Sequence, residues 1–221
     1  MLRNFVRHVL REAQANLDRL FNVSATAGER EEIPNISFII SLSGTITVDQ
    51  IRDSLWLELY EAGQHELTHI VQDHMLELAD DWKFEMPPAP ATPAYYRYEK
   101  EVEAFVSGLS ARAEKSPGSA DLASTVKEYL MTQVRAGFLD NREVEDITKL
   151  WLEMVDNLPE MLEASKRASA KYIADTVFSE IGSLKRSGRG EFVTSLLIVT
   201  DSDDTGEDIP LLVNYVFYKR H

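Results

Sequence analysis

The spacing of apolar residues changes several times along the chain, and each change marks an element. From the N-terminus they fall at Leu2, Phe5, Val6, Val9, Leu10, Ala13, Leu17 and Leu20, the stripe of an amphipathic helix. Residues 22–35, NVSATAGEREEIPN, interrupt that period with Gly, Pro, Asn and charge, the chemistry of a surface loop. Ile36 to Leu42 is β-branched and aromatic-rich and predicts a strand; Ser43-Gly44 punctuates it, and Thr45 to Val48 continues it or returns as a second short strand. Thr47 followed by Gln50 has capping-box spacing. A long helix is therefore expected from Asp49 to about Ala79, with Gly63 as its weakest point.

Four prolines between Asp81 and Tyr96 end that helix and make a loop. Helical spacing returns over residues 97–115, and SPGSAD at Ser116–Asp121 is the best candidate for a boundary. Residues 122–184 read as helix in about three segments, separated near Gly137-Phe138 and Asn157-Leu158-Pro159. The end of the chain reads as a loop (Lys185–Glu191), a strand (Phe192–Thr200), an acidic turn (Asp201–Pro210) and a returning strand (Leu211–Tyr218). There is no internal repeat and no low-complexity tract. The pattern predicts an α+β, predominantly helical fold. A core with a short β-sheet beside the long helix occupies residues 1–118, and a helical region ending in a β-hairpin, residues 119–221, packs on it.

A chain of 221 residues can bury one sizeable core, or a core with a smaller appended subdomain. Its formal charge of -14, from 37 acidic against 23 basic residues, argues against nucleic acid as a partner, because such binding runs on Lys and Arg neutralising phosphates. The chain has no cysteine, which excludes disulfides and thiolate metal sites and fits a cytoplasmic location. No apolar run reaches the roughly 18 residues of a membrane span, and the N-terminal stripe is periodic rather than a signal-peptide core. No membrane partner is expected.

The candidate chemistry lies in QHELTHIVQDH, residues 64–74, which contains H-E-x-x-H. On a helix, residues four apart share a face, so His65 and His69 can aim their imidazoles at one metal ion, Zn2+ being the expected cofactor. Glu66, one residue on, is turned so that its carboxylate reaches a water rather than the metal, as a general base requires. Leu67, Ile70, Val71 and Met75 give this helix an apolar side. A catalytic zinc takes three protein ligands. A third histidine in the metzincin spacing is excluded, because Gln72 and Met75 stand where a Gly and a His would be needed; His74 is one residue off that spacing and reads as a surface or outer group. A carboxylate from a second helix is the other common choice, and YEKEVEAFVSG offers Glu99, Glu101 and Glu103.

HELTH followed by E-V-E-A-F at residues 101–105 resembles the gluzincin branch of the zincin metallopeptidases, and especially compact HExxH proteins of bacterial or phage type. The likeness covers about residues 36–108 and rests on those two short motifs. It implies a zincin-like core around the active helix. It also implies metal ligands His65, His69 and Glu103, the last because the family's ligand Glu stands immediately before an Ala, here Ala104. Ser107 stands where thermolysin-like members place an Asp that orients a ligand His; Asp73 or Glu99 could substitute. The resemblance further implies a Tyr or His donor for the oxyanion. Tyr95, Tyr96, Tyr98, His74 and Tyr172 are the candidates, with Tyr96 first because the Pro-rich loop leads from it into the Glu-bearing helix. Phe38–Leu42 could be the edge strand that holds an extended peptide, although its continuous apolar run also suits a buried central strand.

Two further features bear on function. DSDDTGED, residues 201–208, begins like a calcium loop, but Leu212 occupies the position of its bidentate Glu, so an acidic turn is expected. Trp56, Trp82 and Trp151 read as core. The function expected is a zinc-dependent endopeptidase acting on a peptide or protein substrate. The alternative is a zincin-like scaffold or interaction protein that binds the metal but has little or no peptidase activity.

Overall fold

Ile36, Phe38, Ile40 and Leu42 are all at most 1% exposed, and their alternate spacing builds the strand around which the sheet forms. In a computed structural model of the chain, this is β2, Ile33–Ser43. The structure describes residues 21–30, 33–43, 46–77, 88–90, 92–116, 121–158, 160–183, 191–200 and 208–220. The expected N-terminal helix, Trp82 and the acidic turn of residues 201–207 lie outside them.

Within residues 22–35, expected as a loop, the structure instead has a strand, β1, Phe21–Arg30. It pairs antiparallel with β2 over its whole length, from Phe21↔Leu42 to Arg30↔Ile33. Asn22, Ser24 and Gly28 give it weak intrinsic strand preference, but β2 offers a strongly apolar template, and partner context outweighs propensity in sheets. Further on, β3 (Glu191–Thr200) and β4 (Asp208–Arg220) form the expected antiparallel hairpin. β4 also pairs in parallel with β2, from Asn35↔Leu212 to Ser43↔Arg220, so the sheet order is β1-β2-β4-β3. β2, and Phe38–Leu42 with it, is therefore central, and the edge strand beside it is β1.

Thr47 and Gln50 do form a capping box, the Thr47 N–H donating to Gln50 Oε1 at 2.8 Å. A turn of 3-10 helix, Val48–Ile51, leads into α1, Arg52–Glu77. Gly63 does not break α1. A Cβ there would lie 3.7 Å from the Cα and Cβ of Ala170, an ordinary van der Waals contact, so the two helices pass close to each other at this point. The remaining helices follow the predicted segments: α2 Glu99–Lys115, α3 Leu122–Arg135, α4 Asn141–Val155 and α5 Glu160–Ser183. The α+β, predominantly helical class is as expected.

The described residues fall into two compact units. One holds Gln72–Leu158; the other joins Arg19–Val71 with Pro159–His221, and the division falls inside α1. The core of the first is aromatic and aliphatic: Phe105 stacks on Trp151 with ring centroids 5.0 Å apart, among Val106, Leu109, Leu130 and Ile147. In the second, Leu55, Leu59, Ile173, Val177, Val213 and Tyr215 are buried with the apolar face of β2. There α1 and α5 run antiparallel, since Arg52 lies over the Phe178 ring, Trp56 Nε1 donates to Asp175 Oδ1 at 2.8 Å, and Gly63 meets Ala170.

Candidate metal centre

The helical period of α1 does what the spacing predicted. His65 and His69 lie side by side with Nε2 atoms 3.1 Å apart, and their rings meet edge to face at 78° with centroids 4.8 Å apart. Both are half-buried, so two donor atoms converge where an ion could still enter. Leu67 is buried beneath them, while Ile70 and Val71 are only partly covered.

Glu66 is buried, at 8% exposure. Its Oε2 accepts the backbone N–H of Ala27 on β1 at 2.5 Å. Ala27 is opposite Ile36 in the β1–β2 ladder, and an N–H aimed at Glu66 is one the edge strand does not give to β2. This contact was not legible in the sequence, where residues 22–35 carry loop chemistry.

Among the described residues, one group of three could hold a metal ion: His65, His69 and Glu101. Glu103, expected as the third ligand, is not in that group. Its Oε2 accepts Gln72 Nε2 at 2.8 Å, and the same Gln72 nitrogen donates to Lys100 O at 3.0 Å. The reason is helical geometry: two residues apart means a turn of about 200°, so Glu101 and Glu103 point from different faces of α2. Glu99, in the first turn of α2, is exposed. Ala104 and Ser107 are fully buried. Asp73 is 77% exposed and lies 3.9 Å from the Lys100 ammonium, which places it at the surface rather than behind a ligand ring.

Tyr96 is the residue expected as the oxyanion donor. The 3-10 turn Tyr95–Arg97 turns its side chain into the aromatic core of the first unit, where it is 3% exposed. Its hydroxyl donates to Gln133 Oε1 at 3.0 Å, and its carbonyl accepts Trp151 Nε1 at 2.8 Å. Tyr95 packs in the same cluster, and Tyr172 stands 55% exposed on α5. The His74 side chain lies outside the described residues.

Sequence reading also passed over the back of α1. Gln64 and Thr68, each one residue before a histidine, are fully buried, as are Glu163 and Lys166 of α5 to within 3%. No helix among the described residues is long and apolar enough to cross a membrane. Compared with protein-family models, curated proteins and solved structures, the chain matches none.

Proposed function

We propose that the chain is a zinc-dependent peptidase in which His65, His69 and Glu101 hold the ion and Glu66 is the general base. The observation that carries this reading is the donor set: two imidazoles on one face of a helix and a carboxylate, with a second carboxylate between the imidazoles in the chain. Two nitrogens bound at about 2.0–2.1 Å to a tetrahedral ion stand about 3.3–3.4 Å apart, close to the 3.1 Å between the Nε2 atoms. Two His and one carboxylate, with no thiolate in the chain, suit zinc and leave a fourth position for water or substrate. Zinc, when bound, supplies Lewis acidity and lowers the pKa of a water in its open position to about 7.

The residues of the chain do the rest. Glu66, oriented by the Ala27 N–H, takes the proton of the attacking water and returns it to the leaving amine. Among the described strands β1 pairs with β2 alone, and its other edge carries the N–H that reaches Glu66. An extended peptide adding to that edge is held by main-chain bonds, with its scissile bond beside the base.

Glu66→Gln tests the division of roles, since the amide keeps the shape but cannot accept a proton. The variant is expected to bind zinc as the wild type does and to lose cleavage of a mixed peptide library by at least about a hundredfold, the lower range of general base catalysis. A wild-type protein that holds zinc and cleaves nothing would favour the scaffold role instead.

A further inference from the structure

Four buried polar side chains behind the histidine face form a closed ring of bonds. Lys166 Nζ pairs with the Glu163 carboxylate and donates to Thr68 Oγ1 at 3.1 Å. Thr68 Oγ1 donates in turn to the Gln64 carbonyl at 3.0 Å, and Gln64 Nε2 donates to Glu163 Oε2 at 3.2 Å. Gln64 and Thr68 are 0% exposed, and Glu163 and Lys166 are 3% exposed. All four belong to one unit.

Burying an ion pair costs several kcal/mol per ion, and well-packed apolar residues in its place are often as stable or more so. Stability alone therefore gives the ring little purpose. Direction gives it one. The contacts farther along the α1–α5 pair include the Gly63–Ala170 approach and buried aliphatic residues, and apolar contacts are non-directional. The ring instead grips α1 at Gln64 and Thr68, the residues immediately before His65 and His69. Its hydrogen bonds allow one rotation of the helix about its axis and one depth against α5. Imidazole positions at a metal are sensitive to such settings, since outer partners of metal ligands are commonly worth 10–100-fold in affinity.

We infer that Glu163 and Lys166 of α5, acting through Gln64 and Thr68, are positioning residues that set the rotation of α1 and so the convergence of His65 and His69 on a metal ion. The inference rests on the zinc reading and extends it to a helix that supplies no ligand.

Thr68→Val removes the hydroxyl at nearly constant volume, and Thr68→Ser keeps it. Zinc affinity by chelator competition, and the absorption spectrum of the cobalt(II)-loaded protein, are measured well below the melting temperature. Thr68→Val is expected to bind zinc about 10–100-fold more weakly with a changed cobalt spectrum, and Thr68→Ser to restore both. Trp56→Phe, which cuts the α1–α5 bond to Asp175 far from the ring, should lower melting temperature and leave affinity and spectrum unchanged. Glu163→Gln combined with Lys166→Met removes both charges and decides the matter should Thr68→Val not fold. Folded variants with wild-type affinity and spectrum would overturn the inference, as would unfolding of both, which would make the ring a stability device. If the wild type binds no zinc, the metal reading fails and takes this one with it; if it binds while the variants match it, only the positioning fails.

Discussion

Glu101 and Glu103 differ by two positions in α2, yet the structure gives them different work. Glu103 is engaged by the Gln72 side chain, and Glu101 belongs to the group able to hold an ion. Glu101→Ala is therefore expected to lower zinc affinity by more than the 10–100-fold typical of an outer partner, and Glu103→Ala to stay within that range. Isothermal titration of both variants checks the ranking, and the reverse order would return the ligand role to Glu103. The side-by-side placement of His65 and His69 was legible in the sequence because a single helical period fixes it. Which carboxylate joins them in a group able to hold an ion was not. Glu99 and Glu103, four residues apart, share one face of the helix and Glu101 lies on another, and the face that matters is set by tertiary packing. Tyr96 poses a related problem: nothing local distinguishes a tyrosine that lines a cleft from one whose hydroxyl donates to Gln133 inside a core.

At the scale of elements, helices with clear start and stop chemistry were read well. α3 ends in a Schellman arrangement: Gly137 takes φ +77°, its N–H donates to Val134 O at 2.9 Å, and the Phe138 N–H donates to Gln133 O at 3.0 Å. Gly137→Ala must place a Cβ in the left-handed region, and about 1–2 kcal/mol of stability should be lost in denaturant unfolding. At the other end of α3, the Ser124 N–H and hydroxyl hold the Asp121 carboxyl below its usual range. A group with a depressed folded pKa stabilises above its unfolded value, and that contribution is lost as pH falls through the folded one. Amide exchange in the first turn of α3 should therefore speed up on acidification through that window, and Asp121→Asn should remove this pH dependence. β1 was the element missed. Its residues carry loop chemistry, and only the partner strand, distant in its demands from any local signal, makes them a strand.

On the scale of the whole chain, the sheet draws its strands from both ends of the described sequence. β1 and β2 precede every described helix, β3 and β4 follow them all, and the parallel β2–β4 pairing closes the intervening helices into a long crossover. Sequence could identify the β3–β4 hairpin from local alternation, but pairing between strands as far apart as β2 and β4 leaves no local mark. An ion held by residues of α1 and α2 should stabilise the folded chain by mass action, about 2.7 kcal/mol when free zinc is a hundred times its dissociation constant. Thermal melts with and without a chelator would register this as a rise in midpoint that is absent from a His65→Ala, His69→Ala variant. The most direct test of the central claim is metal content, measured by mass spectrometry on protein purified without added metal or chelator. The account predicts about one zinc per wild-type chain and almost none in the double-histidine variant. A wild-type chain that carries no zinc, and takes up none when it is offered, would contradict it.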